Sequence, residues 1–225
     1  MNDLLPLAML GGILGLDVVC FPQMMVSRPL IAATLAGAFF GDPTMGMFVG
    51  VALELIALAT LPFGASRYPE WGSAAVVGGA IAGTLEANGT GALTIGVLAA
   101  LATAWVGGIT LVKLRLWNAW LAQRKRPALD AGSRGAVIGL QLAGLTADAV
   151  RAALLTCISY VILLPVAVAT LGVWSLSESM SRSVVVGIAA AVAGTAAWTS
   201  FHTARGARWY FAGGLVVGLL ILVVR

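Results

Sequence analysis

The stretch Arg28-Pro29-Leu30-Ile31-Ala32-Ala33-Thr34-Leu35-Ala36-Gly37-Ala38-Phe39-Phe40-Gly41-Asp42-Pro43 decides how this chain folds. Its apolar run, residues 30–41, is bounded by Arg-Pro on one side and Gly-Asp-Pro on the other. As a helix such a run rises ~18 Å, well short of the ~30 Å hydrocarbon core of a bilayer. It is a poor full crossing. Paired with residues 45–62 across the Gly41-Asp42-Pro43 turn, it reads as one arm of a re-entrant hairpin. Pro29 holds Arg28 extended, and it starts the helix at a position where a backbone N–H has no intrahelical partner anyway.

Composition fixes the solvent. Of 225 residues 60% are apolar and 10% charged, whereas a soluble domain carries about 25% charged residues to hydrate its surface. Lipid is therefore part of the solvent. Apolar runs recur along almost the whole length, too many for a single anchor, and the alternation of a β-barrel is absent. Backbone groups in hydrocarbon must be satisfied within their own segment, so the runs are helices. The expected fold is all-α: a polytopic membrane protein, residues 1–225 as one domain, with short re-entrant helical hairpins. The 28 glycines sit largely inside these runs, as in Gly79-x-x-x-Gly83 and Gly214-x-x-x-Gly218, a spacing that lets helix backbones approach closely in lipid. Cys20 and Cys157 lie far apart in apolar surroundings and read as buried structural residues rather than a disulfide or a CxxC site. No basic residue precedes Arg28, so the first apolar segment lacks the basic start of a signal peptide and reads as retained.

Along the chain, residues 4–21 are apolar but interrupted by Asp17, and Phe21–Arg28 is a polar, proline-kinked connection. Residues 62–73 are aromatic and rich in turn formers, and 74–85 form another short run ended by Glu86 to Gly91. Residues 92–112 are a full crossing. The stretch 113–134 carries Lys113, Arg115, Arg124, Lys125, Arg126 and Arg134 against Asp130 alone, with Trp117 and Trp120 interleaved. A basic loop between apolar spans belongs to the cytoplasmic side, with tryptophans at headgroup depth, rather than to a nucleic acid. Beyond it, 135–147 is short, Asp148 and Arg151 precede a crossing at 152–174, and 184–200 and 209–224 complete the chain.

No motif of a soluble enzyme is present. There is no phosphate loop and no dinucleotide fingerprint, and the single histidine, His202, excludes a multi-histidine metal site. The informative residues are polar ones at membrane depth. A charge at the centre of a lipid-facing helix costs ~2.5–3.5 kcal/mol on insertion scales, so such residues face a cavity or a partner. Glu54, inside Val51-Ala52-Leu53-Glu54-Leu55-Ile56-Ala57-Leu58, is the first candidate: it accepts hydrogen bonds either from a polar solute or from a broken helix. Asp17 and Gln23 flank the Pro22 kink. Arg67, with Glu70 and Trp71, lines a pathway if 62–73 folds back into the bundle, and is otherwise half of an interfacial Arg–Glu pair.

The order Ser27-Arg28-Pro29-Leu30-Ile31-Ala32-Ala33-Thr34-Leu35-Ala36-Gly37, then Gly41-Asp42, then Gly50-Val51-Ala52-Leu53-Glu54-Leu55-Ile56-Ala57-Leu58 and Gly64-Ala65, resembles the IIC subunit of the mannose/fructose/sorbose family of the bacterial sugar phosphotransferase system. The resemblance covers roughly residues 10–85. It implies a multi-pass subunit of the bacterial inner membrane that works with a IID membrane subunit in an oligomeric assembly to bind a hexose or amino sugar. It also implies soluble IIA and IIB phosphocarriers, an elevator-like motion, and no catalytic or phosphoacceptor residue, cofactor or metal in this chain. By position Glu54 matches the family's LE motif and is the leading sugar contact, with Asp17, Gln23 and Arg67 behind it. Pro62 stands where mannose-type members tend to carry Asn, removing an amide donor and acceptor. That departure leaves open a divergent paralogue with a regulatory or scaffold role and no transport, and an unrelated ion-coupled carrier is a third reading.

Overall fold

The computed structural model describes residues 4–17, 20, 22–58, 60, 67–85, 91–173 and 177–224, and among these it is helical with no strand. The elements are α1 (Leu4–Asp17), α2 (Pro29–Phe40), α3 (Pro43–Ala57), α4 (Trp71–Leu85), α5 (Ala92–Arg124), α6 (Arg126–Asp130), α7 (Arg134–Val173), α8 (Glu178–Phe201) and α9 (Ala207–Val224). Stretches within α5, α7 and α8 are long and apolar enough to cross a membrane, whereas α1 to α4 are shorter apolar helices. This is the expected all-α, multi-pass architecture with short hairpins.

The hairpin forms where the prolines place it. Pro29 and Pro43 open α2 and α3, and the Asp42 carboxylate accepts the Thr44 N–H at 2.7 Å. An acceptor at that position satisfies one of the orphan donors of a helix start. Gly41 turns the chain with φ +136°, and a Cβ there would lie 2.8 Å from the Gly83 carbonyl oxygen. Both facts require glycine.

Helix α4 is the axis of the packing. It is built of Gly, Ala, Val and Ser with single larger residues, and nearly all of it is buried. A helix that is apolar all round belongs inside a bundle. It packs against α1, α2, α3, α5 and α7. The tightest point is the Ala33 carbonyl on α2: a Cβ on Gly46 of α3 would come within 2.4 Å of that oxygen, and one on Gly79 of α4 within 2.3 Å. Three helices therefore touch backbone to backbone, as the Gly79-x-x-x-Gly83 spacing implies. The second pair behaves differently, because among the described residues no other helix comes within 4 Å of where a Cβ on Gly214 or Gly218 would stand.

Three expectations need correction. The basic stretch 113–134 is not a loop. Helix α5 continues to Arg124, the short α6 follows, and α7 begins at Arg134. Lys, Arg, Leu, Trp, Ala and Gln all tolerate helix, and no Pro or Gly interrupts residues 113–126. Arg124 also stacks 3.9 Å over the Trp120 ring. Likewise 135–147 and the run after Arg151 form one helix, because Asp148 and Arg151 sit one turn apart and pair at 2.8 Å. Their mutual compensation removes the reason to break the helix there. Cys20 is also exposed rather than buried, and both cysteines are free thiols.

Replacing Gly79 by Val forces a side chain into the Ala33 carbonyl. Overpacking of this kind costs about 1–3 kcal/mol, so the melting temperature of the detergent-purified chain falls clearly, while Gly218→Val leaves it unchanged. An equal effect of both would contradict the packing described.

Candidate functional site

Asp17 ends α1 and is almost fully buried. Its carboxylate gathers the connection to α2: Oδ1 accepts the Met24 N–H at 2.6 Å, and Oδ2 accepts the Ser27 N–H at 3.0 Å and the Ser27 hydroxyl at 2.9 Å. The enclosed turn is strained, with Gln23 at φ +60° and Met25 at φ +62°. Side chains with a Cβ visit that region at a cost. Asp17 is what holds it there.

The residue after Ser27 carries the second half of the arrangement. Arg28 pairs with Glu54 Oε1, reaching from the start of α2 across to the body of α3. Glu54 Oε2 accepts the Leu30 N–H at 3.3 Å, one of the free donors in the first turn of α2. Glu54 is thus both counter-ion and helix cap, from a neighbouring helix. The pair is not sealed: the Arg28 side chain is 42% exposed and that of Glu54 21%. Asp17, Ser27, Arg28 and Glu54 form one continuous chain of contacts, and Gln23 sits exposed on the turn that Asp17 closes.

Arg67 stands apart. It lies 5.3 Å over the ring of Trp105 on α5, and among the described residues no ion pair joins it to Glu54 or Glu70. The segment 67–70 does fold back into the bundle: Tyr68 and Glu70 are buried, and the Glu70 N–H donates to the Ala104 carbonyl at 3.1 Å. Pro62 and Phe63-Gly64-Ala65 fall outside the described residues.

A second buried polar group includes Glu70, which the sequence placed beside Arg67 without showing its burial. Glu70 Oε1 accepts the Ser73 N–H at 3.0 Å at the start of α4, while Glu70 Oε2 and the Ser73 hydroxyl find no hydrogen-bonding partner among the described residues. Nearby, Arg151 donates from Nε to Asp148 Oδ1 at 2.8 Å and from Nη1 to Thr110 at 3.3 Å, and the Cys20 thiol donates to Asp148 Oδ2 at 3.1 Å. Arg115 bonds the Tyr68 hydroxyl and stacks 4.7 Å over its ring. These contacts tie the α1–α2 connection and the 67–70 segment to α5 and α7. The signal in the sequence was the Asp148-x-x-Arg151 pair inside an apolar run.

Half-length helices, an ion pair between their ends and buried compensated charges define a polytopic helical membrane protein with a polar interior. Comparison with known proteins narrows this. The model of the family described as the sorbose-specific IIC component of the phosphotransferase system matches residues 4–191, and the chain belongs to that family. The mannose-specific EIIC component of Escherichia coli K12 is 28% identical over 132 residues, 59% of this chain and 48% of that protein. The sorbose-specific EIIC component of Lacticaseibacillus casei is 28% identical over 143 residues, 64% and 50% of the two chains, and that of Klebsiella pneumoniae is 34% identical over 93 residues, 41% and 34%. The matches to the first two span about half the length of those relatives. Among solved structures, one described as a membrane protein superposes with TM-score 0.74 at 20% identity, covering 100% of this chain and 91% of the other. A chain of the complex of the mannose transporter ManYZ with microcin E492 superposes with TM-score 0.61 at 18% identity, covering 99% and 94%. Both likenesses concern the fold.

Removing the Asp17 carboxylate leaves the Met24 and Ser27 donors without their acceptor. With unmet buried donors at about 1–3 kcal/mol each, Asp17→Ala lowers stability by roughly 2–4 kcal/mol and opens the 20–28 connection to protease. Unchanged melting and cleavage would contradict the clasp.

Proposed function

We propose that this chain is the sugar-translocating IIC subunit of a mannose-type phosphotransferase system in a bacterial inner membrane. Together with a IID subunit it binds a hexose or amino sugar for phosphoenolpyruvate-dependent uptake, and IIA and IIB carriers supply the phosphoryl group. The observation that carries the reading is the Arg28–Glu54 pair, charged, partly exposed and set between the start of α2 and the last turn of α3, at the open end of the hairpin. A carboxylate accepts from sugar hydroxyls and a guanidinium donates to them, so the pair matches adjacent hydroxyls of one ring. Asp17 and Gln23 shape the turn that presents Arg28, and Arg67 remains a weaker contact. Helices α8 and α9 support a membrane partner: α8 is mostly exposed, and Gly214 and Gly218 present open small-residue positions. The basic residues between 113 and 134 favour the cytoplasmic face for that end.

A second reading is a regulatory or scaffold paralogue without transport. It is favoured by one observation, that both oxygens of Glu54 already have partners inside the protein.

The two readings separate on uptake by the unsubstituted chain, which the scaffold reading excludes, and Glu54→Gln then tests the site. The amide oxygen still accepts the Leu30 N–H, so the variant inserts and folds, but the charge that orders Arg28 is gone. Uptake of labelled hexoses by cells expressing the chain with its membrane partner is abolished if Glu54 binds the sugar. Normal uptake at equal protein level removes that role.

A further inference from the structure

Toward their basic ends, α5 and α7 enclose a cavity of about 430 Å³, walled by Leu114, Asn118 and Leu121 on one helix and by Gln141, Leu145 and Asp148 on the other. On each helix the spacing is i, i+4, i+7, positions that share one face. Gly144 belongs to the same wall, and a Cβ there would lie 3.7 Å from both polar atoms of the Asn118 amide. The amide therefore faces α7 at Gly144, where the missing side chain leaves room beside it. Among the described residues neither Asn118 nor Gln141 makes a side-chain hydrogen bond within the chain. Asn118 is half-buried and Gln141 lies exposed at the rim. A partly buried amide without a partner is costly, and a ligand able to donate and accept would satisfy Asn118 and meet Gln141 at the mouth.

Electrostatics restrict which ligand fits. The carboxylate at the end of the cavity, Asp148, is almost fully buried and compensated by Arg151, with Cys20 as a further donor. The polar wall is thus near neutral, which disfavours free anions and cations. It offers amide donors and acceptors, spare lone pairs on Asp148, and leucine side chains for C–H faces. The larger groove of about 690 Å³ between the same helices is lined mainly by apolar side chains such as Val106, Val150, Leu154 and Ile158, with Thr110 and Arg151 among its polar ones, and it carries no amide or carboxylate side chain.

We infer that this cavity is a second solute site, taking a neutral polyhydroxylated molecule of the hexose class through Asn118, Gln141 and Asp148. The inference rests on the carrier reading and deepens it. Cys20, in the cavity wall, and Arg28, paired with Glu54, lie on the same connection, and eight residues of chain span at most about 28 Å. The two sites are therefore stations along a single segment.

The test uses the full chain with Cys20→Ala and Cys157→Ala, carrying Asn118→Cys or, as a second reporter, Gln141→Cys. A hydrophilic thiol reagent labels the new cysteine. Saturating mannose, fructose, sorbose or N-acetylglucosamine slows labelling at least about fivefold, the scale of one hydrogen-bonded contact. Gly144→Val, whose side chain fills the space beside position 118, removes that protection, and Glu54→Gln leaves it. Failure of every sugar to protect either cysteine, absence of labelling, or protection surviving Gly144→Val each overturns the second site. The carrier reading is judged separately, by uptake in Glu54→Gln alone.

Discussion

The fold depends on how closely α2, α3 and α4 approach at the Ala33 carbonyl. In lipid the hydrophobic effect does not drive helices together, so association comes from van der Waals contact and from groups that bond across the interface. Gly46 and Gly79 present no side chain to that oxygen, so the backbones meet. Helices too short to cross alone become a single packed body, with α4 inside it and the long helices outside.

That packing makes the charges tolerable. Each ionised group inside the bundle carries its compensation from another segment: Arg28 for Glu54, Arg151 for Asp148, and backbone and hydroxyl donors for Asp17. Removing one partner of a buried pair is far more damaging than the pair's net contribution to stability. The polar groups are therefore best understood as positioning devices. They fix the turn at 22–28, and through it the guanidinium of Arg28, more than they add stability. Glu70 and Ser73 are the exception, holding unsatisfied atoms in the interior, where a small displacement of Arg151 or a bound water would find partners.

Much of the fold was legible before any coordinates. The apolar run at 30–41, its flanking prolines and the length of a bilayer were enough to reject a full crossing, and the hairpin follows. Glu54 was legible too, because a carboxylate in the middle of an apolar run needs a reason. The basic stretch misled, since positive charge reports sidedness and not secondary structure: Lys113 to Arg124 are good helix formers extending a spanning helix beyond hydrocarbon. Cys20 misled because it lies on the connection after α1, exposed, with its thiol donating to Asp148 of α7.

The sequence by itself determined membrane residence, helical class, the short hairpin and the candidacy of Glu54 and Asp17. Each follows from local composition or from lengths set against a fixed bilayer. Only the tertiary structure decided that Arg28 is the partner of Glu54, that Asp17 binds the turn instead of standing open, that Glu70 is buried beside α5, and that Asn118 and Gln141 share a cavity. Those facts depend on which segments pack side by side, and contacts between residues 17 and 27, 28 and 54, or 20 and 148 leave no periodic trace in a single chain.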